Sequence, residues 1–273
     1  MKKILFLLIL FFVGQAFVLG QSTASKQVQT FTIEAPQLDS HKTIWVYLPK
    51  SYETSKETYP VIYMFDAQNL FDAKASYVGE WEIDEYLDKA NQDVIVIGIE
   101  HGNEKRIEEL TPYQNEKYGG GKGDLFIDFI RHTVKPHIDI TFRTKSEAQH
   151  TTIFGSSLGG LMAFYAAIKY PETFGKAGIF SPAFWINPEI FNLASESQLN
   201  SRSEFYFMAG TEESETMVSN LEQMISIIKA QGIPSDHIQK KIVEGGKHNE
   251  TLWKNNFPEA CQWLLLQKSI KND

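Results

Sequence analysis

Thr151-Thr-Ile-Phe-Gly-Ser-Ser-Leu-Gly-Gly160 sets two adjacent serines in a glycine frame, followed by the apolar run Leu161-Met-Ala-Phe-Tyr-Ala-Ala167. The β-branched start reads as a buried strand and the continuation as a helix. Gly155-Ser-Ser-Leu-Gly159 fits G-x-S-x-G in one register only, with Ser157 at the centre. In a nucleophile elbow the central residue stands on a strained strand-to-helix turn with its hydroxyl projecting, and small flanking residues let the backbones approach. So short a pattern also arises by chance, as a glycine-rich connection without chemistry. The strand before it and the helix after it give the match its weight. Ser157 is the candidate nucleophile, and Ser156 is a neighbour at the x position.

Outward from this turn, short β-branched or aromatic runs alternate with longer segments of helical period. The runs cover 43–48, 61–65, 93–99, 151–154, 176–180, 204–208 and 237–243, with helices expected near 80–90, 123–138, 158–170, 215–231 and 250–267. Such alternation predicts an α/β fold: a mainly parallel central sheet of about eight strands, helices on both faces, and binding groups at the carboxyl ends of the strands. The early runs at 29–35 and 43–48 have no helix between them and suit an antiparallel pair at one edge. This is the element order of an α/β-hydrolase fold.

A serine hydroxyl needs a base to take its proton, and the base needs an orienting carboxylate. In this element order the acid follows the serine and the histidine comes last. His237 and His248 are the histidines after Ser157. His237 starts the last expected strand, at the wrong end of the sheet; His248 lies just past its carboxyl end and is the candidate base. The acid belongs after the strand 204–208, in Ala209-Gly-Thr-Glu-Glu-Ser-Glu215. Glu215 is expected to open the next helix as a dipole partner. Glu213, three residues past the glycine, is the first choice and Glu212 the second, and sequence alone separates them poorly. Glu250 is an outside candidate, expected instead to cap the final helix. Oxyanion donors are expected at the backbone N–H of Leu158 and, after the strand 61–65, at that of Ala67 or Gln68.

The chain has 273 residues, 42% apolar and 22% charged, enough for the core of one domain. Its formal net charge of −8 disfavours nucleic acid as a partner. Met1-Lys-Lys-Ile-Leu-Phe-Leu-Leu-Ile-Leu-Phe-Phe-Val13 has the positive start and apolar core of a secretory signal peptide, expected over 1–20 with a single domain over 21–273. Cleavage is expected after Gly20, with Ala24 as second choice, so the protein is expected to be periplasmic or secreted and to meet a membrane only through its leader. Cys261 is the sole cysteine, which excludes an intrachain disulfide. No two histidines stand at ligand spacing with a carboxylate, so neither metal nor other cofactor is expected. Nothing in the sequence fixes the oligomeric state.

The chain resembles the putative-esterase family of α/β-hydrolases, which includes feruloyl and acetyl-xylan esterases of carbohydrate esterase family one, trilactone siderophore esterases, S-formylglutathione hydrolase and mycolyltransferases. The matching blocks are Asp66-Ala-Gln-Asn-Leu-Phe-Asp72, Arg106-Ile-Glu-Glu-Leu-Thr-Pro112, Phe129 through Pro136, Ile138-Asp139, Phe142-Arg-Thr144, Gly155-Ser-Ser-Leu-Gly-Gly-Leu161, Phe180-Ser-Pro-Ala-Phe-Trp185, Gly210-Thr-Glu-Glu213 and Gly245 through His248 with Glu250 and Trp253. The resemblance implies a triad of Ser157, Glu213 and His248. Ala67 departs from it, since relatives usually carry glycine there, yet alanine keeps its N–H. The resemblance also suggests substrate contacts by Asp66, Arg106 and Trp185. Arg106 either binds an acidic group or anchors its loop through an ion pair. Trp253 reads more readily as core, and Tyr113 through Gly123 as a mobile loop near the site. The expected activity is hydrolysis of a small or polysaccharide-linked ester, with acylated carbohydrate ahead of trilactone siderophores. Acyl transfer on the same triad and a non-catalytic binding module are the rival readings.

Overall fold

The computed structural model describes residues 22–266. The leader expected over 1–20 lies outside the described residues. Eight strands form the main sheet: β1 (Val28–Ala35), β2 (Ser40–Tyr47), β3 (Val61–Phe65), β4 (Ile95–Ile99), β5 (Thr151–Ser156), β6 (Lys176–Phe180), β7 (Glu204–Gly210) and β8 (Ile238–Val243). Their order is β1-β2-β4-β3-β5-β6-β7-β8, and β2 alone runs opposite to the other strands. Every residue of β3 to β7 is buried. This is why these strands read as continuous apolar runs, whereas edge strand β1 alternates.

The helices are α1 (Ile83–Ala90), α2 (Arg106–Glu109), α3 (Gly123–Phe129), α4 (Lys135–Thr141), α5 (Leu158–Lys169), α6 (Glu189–Glu196), α7 (Met217–Ala230) and α8 (Glu250–Leu265). One face of the sheet packs on α3 to α7 through residues such as Phe129, Leu161, Phe164, Ile190 and Leu221. The other packs on α1 and α8 through Leu87, Phe257 and Cys261. Helix α5 is buried at every position except Lys169, as befits a helix that is apolar all round.

Three local differences from the expectations have physical causes. The helix expected over 123–138 continues to Thr141 through a π-helical stretch, Ile130–Val134, where the Lys135 N–H donates to the Ile130 carbonyl. Pro136, which has no N–H, stands at the restart, so the wider turn absorbs it. Helix α6, with Pro188 at its N-cap, falls in a stretch where no helix was expected. The segment expected as a mobile loop is tied down: Gln114–Asn115 pairs with Gly119–Gly120, and the Asn115 amide donates to the Ile186 carbonyl at 2.8 Å. The chain reverses at residues 116–118, and Gly119, Gly120 and Gly121 on the returning side all have positive φ.

Candidate active site

Five strand ends converge on one place. Ser157 follows β5, Asp66 and Ala67 follow β3, Ser181 follows β6, Glu213 follows β7 and His248 follows β8. Ser157 has φ 56° and ψ −118°, a conformation costing roughly 1–3 kcal/mol for a non-glycine residue. The surroundings hold it there: its N–H donates to the Phe180 carbonyl at 3.0 Å, and its carbonyl accepts from Ala183 at 3.0 Å. A side chain at Gly160 would stand 2.6 Å from the Phe180 carbonyl oxygen, so the elbow closes only with hydrogen there.

His248 Nε2 lies 3.0 Å from Ser157 Oγ, and His248 Nδ1 lies 2.7 Å from Glu213 Oε2. The other Glu213 oxygen accepts from Ser181 Oγ at 2.7 Å and from the Gly210 N–H at 2.5 Å. Trp253 Nε1 donates in turn to Ser181 Oγ at 2.8 Å, and its ring meets the His248 imidazole edge-on with centroids 5.0 Å apart. The Glu213 side chain is wholly buried, while about a third of His248 reaches solvent. The loops bearing them touch backbone to backbone. A Cβ on Gly210 would fall 2.3 Å from the Gly246 oxygen, a clash that glycine avoids. Just after His248, Asn249 caps α8 by accepting the Leu252 N–H at 3.0 Å. The cap expected at Glu250 therefore belongs to Asn249, whose shorter side chain fits the N-cap position.

The alternatives for the acid fall elsewhere. Glu212 is exposed, with Oε2 3.8 Å from Lys247 Nζ. Glu215 is exposed ahead of α7, which opens at Met217. His237 lies at the start of β8, at the opposite end of the sheet.

Leu158 is the first residue of α5, and Ala67 the first of the 3₁₀ turn Ala67–Asn69, positions whose N–H groups have no acceptor within the helix. The left-handed residue in that turn is Asp66, with φ 59°, and not Ala67. Alanine, which is not at positive φ, is therefore unstrained at the position where the resemblance leads one to expect glycine. Its methyl group has room because β4 carries Gly98 opposite: a Cβ there would come within 2.9 Å of the Ala67 Cβ. Gln68 is buried, and its side-chain amide donates to the His101 carbonyl at 3.0 Å.

Arg106 and Asp66 bind each other. Arg106 Nε donates to Asp66 Oδ1 at 2.7 Å and Nη2 to Oδ2 at 2.9 Å, a bidentate pair. Of the two roles open to Arg106, the geometry displays the ion pair. Burial opposes ionisation of Asp66, but the guanidinium prevails and its carboxyl titrates below the usual range. Burial lowers the pKa of His101, whose Nε2 lies 3.6 Å from the same carboxylate. Burial also raises the pKa of Glu250, at the start of α8. Trp185 is about half exposed and meets Tyr118 edge-on, with ring centroids 5.5 Å apart. Ser181 and Trp81 had no role in the sequence reading. Trp81 backs Trp253 at 5.9 Å, and the one signal for Ser181 was its place directly after a buried strand.

The strand order, the strained Ser157 turn and the hydrogen-bonded serine, histidine and glutamate make this an α/β-hydrolase. Residues 35–264 match the family described as Putative esterase. The chain belongs to that family and is an ester hydrolase. It is 27% identical over 237 residues to the uncharacterized protein YbbA of Bacillus subtilis, covering 80% of this chain and 90% of that one. Over 142 residues it is 29% identical to a siderophore triacetylfusarinine C esterase of Aspergillus fumigatus, covering 50% of this chain and 48% of that one. Among solved structures, a ferulic acid esterase superposes with a TM-score of 0.67 at 16% identity, covering 87% of this chain and 97% of that one, a likeness of fold.

Proposed function

We propose that the protein is an exported serine esterase working through a Ser157-His248-Glu213 triad, with acylated carbohydrate as its substrate class. The unbroken chain from Ser157 Oγ to His248 at 3.0 Å and from His248 to Glu213 at 2.7 Å carries the reading. Ser157 Oγ attacks the ester carbonyl while His248 Nε2 takes its proton. The buried Glu213 carboxylate stabilises the imidazolium and fixes the tautomer. The oxyanion is met by the Leu158 and Ala67 N–H groups. As the C–O bond breaks, His248 returns the proton to the leaving alcohol. Water, deprotonated by His248, then releases the acid from Ser157.

Two observations support carbohydrate. The exposed Trp185 beside Tyr118 offers flat apolar surface for a sugar or an aromatic acyl ring. Arg106, the group best suited to an acidic ligand, is already bonded to Asp66. A trilactone siderophore is the second reading, supported by the siderophore esterase similar to this chain over half its length. Ser157→Ala should abolish hydrolysis of a short p-nitrophenyl ester while the circular dichroism spectrum stays unchanged; retained turnover would falsify the triad. A panel of methyl ferulate, acetylated xylan and a catecholate trilactone decides the substrate class.

A further inference from the structure

Asp66 places a carboxylate next to the turn that is to stabilise negative charge. It immediately precedes Ala67, and its Oδ2 is 3.2 Å from the point where a Cβ on Gly159 would lie. Gly159 directly follows Leu158. The carboxylate thus belongs to the residue before one assigned N–H group and approaches the residue after the other. An uncompensated anion there would repel the charge that develops in the transition state, and poor solvation would strengthen the repulsion.

The cation in contact with it is Arg106, through two charge-assisted hydrogen bonds. His101, nearby on the same oxygen, is held toward its neutral form by burial and supplies little compensation. Glu250, at the start of α8, is the other ionisable group that interacts with both Asp66 and Arg106, and His248 acts in turn on Glu250. The Arg106 loop is itself anchored. Buried Lys42 lies 2.6 Å from Glu109 Oε1, and Glu109 Oε2 accepts the Gly102 N–H at 2.7 Å.

Resting on the triad reading above, we infer that Arg106 is a positioning and charge-neutralising residue: it cancels the Asp66 carboxylate and fixes the turn that aims the Ala67 N–H at the oxyanion, without touching substrate. Asp66 in turn takes the left-handed conformation that starts the Ala67–Asn69 turn, so the pair sets both the shape and the potential of the oxyanion site.

The test is a double-mutant cycle on a neutral p-nitrophenyl ester. Arg106→Gln should lower kcat by about 10², the scale of one lost oxyanion donor, with KM little changed. Asp66→Asn added to Arg106→Gln should restore much of kcat, since the anion leaves with its partner. Relative to the double variant at the same pH, which cancels the common loss from protonation of His248, the single Arg106→Gln variant should gain activity as pH falls and Asp66 takes up a proton. Arg106→Lys keeps a cation beside Asp66 and should retain most of kcat, which keeps the idea testable if Arg106→Gln does not fold. Unchanged kcat in a folded Arg106→Gln variant overturns the inference, and so does a double variant no better than the single one. A rise in KM confined to anionic esters overturns it in favour of direct substrate binding. Failure of the triad reading is distinguishable, because wild-type protein would then neither turn over the ester nor be labelled at Ser157 by a fluorophosphonate.

Discussion

Glu212 and Glu213 differ by one position in a turn, and that single step decides which carboxylate acts on His248. The Glu213 side chain is wholly buried and its two oxygens accept from His248, Ser181 and the Gly210 N–H. Glu212 points to solvent beside Lys247. Glu213→Gln should therefore lower kcat by about 10³- to 10⁴-fold, as loss of the carboxylate in a serine triad does. Glu212→Gln should leave kcat within error, measured on the same neutral ester. Equal losses in both would overturn the assignment. The sequence reading reached Ser157 and His248 through register and chain order, which the element pattern constrains tightly. It could not separate the two glutamates, because a turn of unknown conformation projects neighbouring side chains in different directions. Ser181 escaped, and Trp253 was legible only as core, for a similar reason: Ser181 bonds Trp253 and Glu213 across 72 and 32 residues of chain.

At the start of α1, the Glu80, Asp84 and Glu85 carboxyl oxygens lie within 4.8 Å of one another. A helix N-terminus favours acids in its first turn, but burial and mutual repulsion win here. Burial first, then the hydrogen bond with Asp84 and the neighbouring charges, push Glu85 up to about 7, from an ordinary 4.5. A raised folded-state value means the fold binds the proton more tightly than the unfolded chain does. The resulting stabilisation is full below about pH 4.5 and is lost as pH rises through about 7. Across that window the wild-type Tm should fall relative to that of Glu85→Gln, which differential scanning calorimetry at a series of pH values will resolve. Parallel curves would show that the carboxyl titrates normally. No run of sequence disclosed this cluster, since Asp84 is buried only because α1 packs against the rest of the chain. Elements themselves were far more legible: the central strands are short apolar runs between turns, and α5 is an apolar run too long for a strand. What escaped were elements set by tertiary contact, such as α6 and the π-helical stretch before Lys135.

At the scale of the whole molecule, the segment just after the expected leader is bonded into the fold. Ser22 Oγ donates to Asp72 Oδ2 at 2.6 Å, and the Thr23 N–H to Asp72 Oδ1 at 3.2 Å. Thr23 Oγ1 donates to Glu80 at 2.9 Å and accepts the Ala73 N–H at 2.7 Å. The Ser25 N–H donates to Asp84 Oδ2 at 2.6 Å, supplying one partner to a buried carboxylate. The segment thus joins the Asp72 loop to α1 and leads into β1. The two cleavage positions suggested by the sequence have different consequences. Processing after Gly20 keeps all of these bonds, whereas processing after Ala24 removes Ser22 and Thr23 and turns the Ser25 amide into a terminal amine. At about 0.5–1.5 kcal/mol for each of these four hydrogen bonds of Ser22 and Thr23, a chain starting at Ser25 should be about 2–6 kcal/mol less stable than one starting at Gln21. If the proposed leader is removed on export, we expect the mature chain to begin at Gln21, as read by intact mass or N-terminal sequencing. Chemical denaturation of the two recombinant starts measures the second part. A mature chain beginning at Ser25, with stability equal to that of the Gln21 form, would mean that this segment is no part of the working fold.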